Sequence, residues 1–296
     1  MTLTQLEIFT MVAELRGFTA AALRLGISQS AVSHALKALE RELGQALVER
    51  RQGQVALTEL GARLLPRARE MLGLAETLRQ EAADARGLRR GTLRIGSFGP
   101  TSSLRLLPRI LQAYRRDYPG IEVRIDESSD QEVMQWIQER RVDLGFVVLP
   151  EEHFATYPLV EDQMVALLPV DSPLAKHPSV NLNELCAAPF ILTEAGSAQL
   201  ITRLFAAANL SPNIRYRSSQ VMTTLAMVAR GDGVALLAEL ALPPLDAGAA
   251  SYLVKPLRPR QKRSVGLAMH NARQASPAAL AFVQTALTLK KRGQLV

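Results

Sequence analysis

Three hydrophobic textures succeed one another along the chain. Residues 1–60 carry short helical patterns broken by a tight turn. Residues 61–88 form one long helical pattern with little glycine. From Gly91 onward, short β-rich runs alternate with amphipathic helices. That last stretch predicts strands over 92–97, 121–127, 142–148, 163–168, 190–193, 214–217, 234–237 and 265–269. Helices are predicted over 103–118, 131–140, 198–208, 222–230 and 277–291. Alternation of this kind predicts α/β architecture with right-handed crossovers, and the restart near residue 162 predicts two lobes. Ligands of such folds bind beyond the carboxyl ends of the strands, between lobes.

The long central pattern places small or apolar residues at Gly61, Leu64, Ala68, Met71, Ala75, Leu78, Ala82 and Ala85. Steps of three and four define a seam that packs on another helix. A helix packed only on its own domain is the alternative. The length of the pattern and its small residues favour a dimerising helix. Thr58 is its expected N-cap and Gly87 its expected stop, and Pro66 predicts a kink. Arg86, Arg89 and Arg90, with Gly87 and Gly91, read as a hinge. The expected organisation is therefore multi-domain: an all-α winged helix-turn-helix domain over 1–60, a linker helix and hinge over 61–90, and an α/β two-lobed domain over 91–296. Lobe one takes 91–161 plus 267–296, and lobe two takes 162–266.

The densest local signal runs from Phe18 to Gly44. It reads as helix, tight turn, helix. Ala22 is small where two helices approach, Gly26 supplies a left-handed turn residue, and Ile27 is expected to plug the corner. Ser28 is a natural N-cap for the second helix. Val32, Leu36, Leu39 and Leu43 form its apolar stripe, leaving Gln29, Ser30, Ser33, His34, Lys37 and Arg41 on the other face. Glutamine pairs bidentately with adenine and serine bonds bases or phosphates, whereas Lys37 and His34 suit phosphates. Any helix shows a polar face to water. The combination with Ala22, Gly26 and Val32 at helix-turn-helix spacing is what predicts binding to double-stranded DNA. Two extended pieces around Gln52-Gly53-Gln54 predict a β-hairpin wing. Arg50 and Arg51 at its base would clamp the sugar-phosphate backbone, or form an exposed basic loop.

Charge adds little to this. The formal net charge is +7, yet residues 1–58 hold six Lys/Arg against five Asp/Glu, and the basic excess follows Asp246. The single cysteine, Cys186, excludes an intrachain disulfide or zinc set and reads as a small packed residue rather than a redox sensor. The start of the chain lacks the pattern of a secretory signal, and no apolar run approaches the roughly 20 residues that span a bilayer. A cytoplasmic protein without membrane contact is expected.

Two loops follow strands and precede helices: residues 97–103 and 193–197. Both are rich in serine and threonine. Helix N-termini attract anions, so two facing one cleft predict a small carboxylate or similar anion, although N-capping alone explains each serine. The candidate ligand residues are Ser97, Phe98, Thr101, Ser102, Ser103, Thr193 and Ser197. No lysine or arginine lies in either loop, and Glu194 sits in the second, which disfavours a multiply charged ligand.

The chain resembles the LysR-type transcriptional regulators. Leu6, Phe9, Phe18, Thr19, Ala21, Ala22, Leu25, Ser28, Gln29, Ala31, Val32, Ser33, Leu39, Glu40, Leu43, Gly44, Leu47, Arg50, Thr58 and Gly61 match that family's pattern. Gly17, Ser30 and Val48 depart from it, with a weaker cap and a smaller plug under the wing as the expected results. The resemblance implies that Gln29 and Ser33, with Ser30 beside them, read the major groove while Ser28, Lys37 and Arg50 hold phosphates. It implies dimers through the linker helix, often paired into tetramers, and a two-lobed domain like periplasmic binding proteins. There the two loops would line the effector pocket, with Ser128, Ser129, Leu149, Val221 and Met222 at further strand ends facing it. No cofactor or metal is implied. An enzyme fits poorly: Gly231-Asp232-Gly233 lacks the third glycine of a dinucleotide loop, and the four histidines are scattered. A solute-binding protein would leave residues 1–90 unexplained, and an architectural DNA protein would not need two lobes.

Overall fold

The computed structural model describes residues 1–51, 54–84, 91–243 and 251–296. The turn at Gln52 and Gly53, the seam residue Ala85 and the hinge at Arg86, Gly87, Arg89 and Arg90 lie outside the described residues, as do the side chains of Arg50 and Arg51.

The N-terminal domain packs α1 (Leu3–Leu15), α2 (Phe18–Leu25) and α3 (Gln29–Leu43) around a single core. Thr2 and Gln5 form a reciprocal capping box at the start of α1. Between α2 and α3, Gly26 takes φ 67° and the Ile27 N–H donates to the Ala22 carbonyl at 3.1 Å. This left-handed cap turns the chain within two residues. Ser28 then caps α3 by accepting from the Ala31 N–H at 3.2 Å. Gly17 precedes α2 without any side-chain cap. The predicted wing is the antiparallel pair β1 (Val48–Arg51) and β2 (Gln54–Leu57), and Val48 half-buries against the helical core.

Two core expectations fail. Ile27 does not plug the corner but is exposed, because the left-handed turn rolls it outward; Ala21 and Ala22 fill that place instead. Leu43 is likewise exposed, since α3 outruns the domain in its last turn and only Val32, Leu36 and Leu39 are buried.

Helix α4 (Glu59–Asp84) begins where Thr58 accepts from the Gly61 N–H at 3.0 Å, and it runs unbroken through Pro66. Its seam divides. Leu65 and Ala68, flanked by Leu64 and Leu72, join the N-terminal core. Met71, Leu74 and Leu78 face outward, at 41, 43 and 68% exposure. The first half of the pattern is thus intramolecular, and the second half carries an exposed apolar stripe.

The remaining elements surround one mixed sheet of order β4-β3-β5-β10-β6-β9-β7-β8. Lobe one holds β3 (Gly91–Phe98), β4 (Ile121–Ser128) and β5 (Leu144–Leu149), with α5 (Leu107–Asp117), α6 (Asp130–Gln138) and α10 (Pro277–Lys291) packed on them. Lobe two holds β7 (Pro189–Thr193), β8 (Asn213–Ser218) and β9 (Val234–Ala238), with α7 (Leu182–Cys186), α8 (Ala198–Ala207) and α9 (Val221–Ala229). Two long antiparallel strands, β6 (Ala155–Pro169) and β10 (Tyr252–Met269), cross between the lobes. Their lobe-bridging portions, 155–162 and 252–264, are absent from the sequence-based expectation. Pro158, Pro256 and Pro259 interrupt the strand pattern there, because proline cannot donate to a ladder and is usually an edge or bulge residue. The helix predicted over 103–118 begins two residues earlier, as a wide π-type turn over Thr101–Leu106.

Gly61 admits no side chain, since a Cβ there would stand 2.0 Å from the Leu47 carbonyl oxygen. Gly61→Ala is expected to destabilise the N-terminal domain by about 3 kcal/mol, the upper end of the overpacking range, because the obstacle is backbone. Thermal unfolding of the full chain measures this.

Candidate DNA-recognition helix and ligand cleft

The first candidate site is the N-terminal face of α3. Ser28, Gln29, Ser30, His34 and Lys37 are exposed, and Ser33 is half-buried beside them. The Ser28 and Ser30 hydroxyls share a hydrogen bond of 2.9 Å, so both are positioned at the helix start. Free N–H groups and the helix dipole at this end favour a phosphate. The two acidic residues of α3 are turned to other work. Glu40 accepts from the Leu47 and Val48 N–H groups at 2.8 and 3.3 Å and so pins the entry to the wing. Glu42 pairs with the N-terminal ammonium of Met1. Before Glu40, the face that carries Gln29, Ser33 and Lys37 holds no acidic residue.

The second candidate site lies between the lobes. The two Ser/Thr loops do meet there. The Gly196 Cα lies against the Phe98 ring, where a Cβ would stand 2.9 Å from a ring carbon, and Gly99 lies against Ala195. The space between them is about 10 Å³, room for one water at most. What fills it is Arg263, which the sequence reading did not single out. One guanidinium nitrogen donates to Thr101 Oγ1 and to the Asp162 carboxylate, each at 2.6 Å. The other donates to Ser197 Oγ at 2.8 Å and to the Gly196 carbonyl at 3.2 Å. Arg263 and Asp162 are direct cross-strand partners on β10 and β6, and both side chains are 1% exposed. Burial pulls the guanidinium below its ordinary value, and Asp162 opposes that shift. Arginine remains charged under such shifts, so the site is a cation pocket that the chain fills itself.

The other predicted ligand residues divide accordingly. Ser97 bonds both Ser102 and Ser103, at 3.2 and 2.9 Å, and Ser102 also accepts from the Phe98 N–H at 3.0 Å. Thr193 is buried and paired with Thr224 at 2.7 Å. Val221 is in the lobe-two core, Leu149 packs half-buried on the lobe-one core, and Met222 is 67% exposed. Ser128 donates to Glu132 of α6. Ser129 caps α6 and opens onto a cleft of about 670 Å³ beside the filled site. That cleft is lined by Ser129, Asp130 and Gln131 of lobe one, and by Leu192, Glu194, Ala198, Gln199, Thr202, Arg203 and Arg217 of lobe two.

Arg203 and Arg217 are cations missed in the sequence, because neither belongs to a loop that ends a strand. They come from the side of α8 and from β8. Burial pushes the Asp130 carboxyl above its usual range, while backbone hydrogen bonds and Arg263 and Arg203 oppose the rise. Cys186 is half-buried against the lobe-two core, and burial raises its thiol. Among the described residues no group of three or more His, Cys, Asp or Glu is placed to hold a metal. No described helix is long and apolar enough to cross a membrane.

Residues 3–62 match the family described as bacterial regulatory helix-turn-helix proteins of the lysR family, and residues 86–290 match the LysR substrate binding domain. The chain belongs to the LysR family of transcriptional regulators. It is 32% identical over 290 residues to the HTH-type transcriptional regulator YvbU of Bacillus subtilis, covering 98% of this chain and 99% of that one. It is 35% identical to the probable HTH-type transcriptional regulator LrrA of Synechococcus elongatus, covering 99% and 100%. A full-length OxyR variant from Pseudomonas aeruginosa superposes with a TM-score of 0.74 at 26% identity, covering 97% of this chain and 94% of that chain. The protein is therefore a DNA-binding transcription regulator with an effector-binding domain. Its relatives are named as regulators, not enzymes.

Arg263→Met is expected to destabilise the effector-binding domain by about 3–5 kcal/mol, because Asp162 is left buried with its charge unmatched. Adding Asp162→Asn should recover part of the loss. Urea unfolding of the full chain tests both, and an R263M variant as stable as wild type would contradict the role given to the pair.

Proposed function

We propose that this LysR-family regulator reads a specific promoter sequence in double-stranded DNA with α3, and that a small carboxylate or similar anion between the lobes controls it. The observation that carries the DNA-reading part is the α3 face, polar and exposed at its N-terminus with Glu40 and Glu42 both held elsewhere. Gln29 and Ser33, with Ser30, are the base readers. Ser28, His34 and Lys37 hold phosphates, and Arg50 and Arg51 of the wing clamp the backbone. The protein acts as a dimer through α4, whose Met71, Leu74 and Leu78 stripe supports this assembly, and dimers pair into tetramers. Acting on promoter DNA, it works in the cytoplasm.

The effector takes the open cleft rather than the position filled by Arg263. Arg203 and Arg217 supply the charge for a carboxylate, and the Ser129 hydroxyl a further hydrogen bond. Asp130 and Glu194 in the same lining limit the negative charge that the ligand carries.

Mobility shift on the DNA upstream of the protein's own gene, against competitor DNA at moderate salt, tests the first part. Gln29→Ala should lose discrimination between promoter and random DNA more than it loses bulk affinity; equal losses on both would contradict base reading. Lys37→Ala should weaken binding evenly across sequences and flatten the salt dependence by about one phosphate contact. For the effector, small carboxylic acids are screened by thermal shift on the full chain, since a ligand of the folded state raises the unfolding temperature. Arg203→Ala and Arg217→Ala should each remove most of the shift that an active acid produces, and an undiminished shift in both would place the ligand elsewhere.

A further inference from the structure

Helix α6 begins at the cleft and ends at the linker helix. Ser129, Asp130 and Gln131 line the cleft at its N-terminus. Nine residues later, about 14 Å along the axis, its C-terminal cap is Glu139. The helix lies directly on the sheet: a Cβ on Gly145 or Gly96 would meet the Val133 side chain at 2.7 or 2.9 Å. Its two ends therefore move as one body with lobe one.

Glu139, Arg140 and Arg141 each reach a charge on the DNA-binding half of the chain. Arg69 of α4, 8% exposed, donates to the Glu139 carboxylate at 2.8 Å and leans on its carbonyl at 3.5 Å. Arg140 pairs with Glu70 of α4 at 3.0 Å and is steadied by Gln274 at 2.8 Å. Arg141, stacked over Trp136 of α6 at 4.6 Å, pairs with Glu14 of α1 at 3.7 Å and with Asp126 at 3.9 Å. Arg140, at φ 54°, is the left-handed residue that closes α6, where the Arg140 and Arg141 N–H groups donate to the Ile137 and Trp136 carbonyls at 3.1 and 2.9 Å. The Arg141 Nε is buried without a hydrogen-bond partner among the described residues. The unmatched donor of Arg141, at the centre of these ion pairs, is an exception to the rule that buried polar groups are paired. On the other side, Arg69 and Glu70 directly follow Ala68, which is in the core of the N-terminal domain. The α4 segment they occupy is thus fixed to the recognition helix by packing and to lobe one by charge.

We propose that Glu139, Arg140 and Arg141 form an ionic dock that sets the angle of the DNA-binding domain on the effector-binding domain, and with it the geometry of bound DNA. This rests on the function proposed above. The dock's charges alternate in sign (acidic Glu139 on basic Arg69, basic Arg140 on acidic Glu70), so it has one preferred register, and reversing a single charge opposes it.

The test is a charge exchange in the full chain: Glu70→Arg, Arg140→Glu and the double variant. Two readouts are taken. Small-angle scattering of the DNA-free protein reports domain angle, and circularly permuted fragments of the upstream DNA report affinity and bend. Each single variant should enlarge the scattering radius, change the bend and weaken binding by about tenfold, a coupling typical of residues in one ion-pair network. The double variant should return all three to within about threefold of wild type. Thermal unfolding of every variant is followed as the folding control. Single variants with the wild-type radius would overturn the dock. So would a double variant whose defects are the sum of the two singles. If the wild-type protein fails to distinguish its upstream DNA from competitor, the proposed function fails, and the scattering data still decide the dock.

Discussion

The two-lobed domain is organised by the pairing of Arg263 with Asp162 where β10 crosses β6. A guanidinium and a carboxylate taken out of water each carry a desolvation cost of several kcal/mol, recovered only when their geometry is good and their remaining donors are matched. Here most of the matching comes from the two loops. Thr101 reaches in from lobe one and Gly196 and Ser197 from lobe two, so one buried cation draws both lobes onto the same point. Closure of the loops, contact of Gly196 with Phe98 and the lateral position of the open cleft all follow from where that cation sits.

The same arrangement reverses the electrostatic sense expected of the loops. Serine and threonine hydroxyls at helix starts are ambidextrous: they donate to an anion or accept from a cation. In this protein Thr101 and Ser197 accept from Arg263. An anion must then find its charge partners elsewhere, and the structure offers Arg203 and Arg217 at the side of lobe two, opposite the capped N-terminus of α6.

In the other half of the molecule, α4 serves two masters on different faces. Its first turns close the N-terminal core through Gly61, Leu65 and Ala68, and Arg69 and Glu70 then engage lobe one. Beyond them, Met71, Leu74 and Leu78 remain exposed. Recognition helix, linker and lobe one are therefore joined within about three helical turns.

Local signals carried the recognition helix, its turn and its caps into the sequence in readable form. Ser28, Gly26 and Gly44 are fixed by backbone rules that act over four residues, and the apolar stripe Val32, Leu36 and Leu39 by helical period. Most strands and helices of the lobes were legible for the same reason. Ile27 and Leu43 were not, because burial at the edge of a small domain depends on how far its neighbours extend. The crossing halves of β6 and β10 were hidden by proline and charge, since their pairing partners lie about a hundred residues away. Sequence alone thus determined the class of the protein, its helix-turn-helix and the polar face of α3, all products of short-range periodicity and capping. Only tertiary structure decided that Arg263 fills the central site, that Arg203 and Arg217 line the cleft, and that Glu139–Arg141 meet Glu14, Arg69 and Glu70. Charge pairing between residues distant in the chain leaves no periodic trace in it.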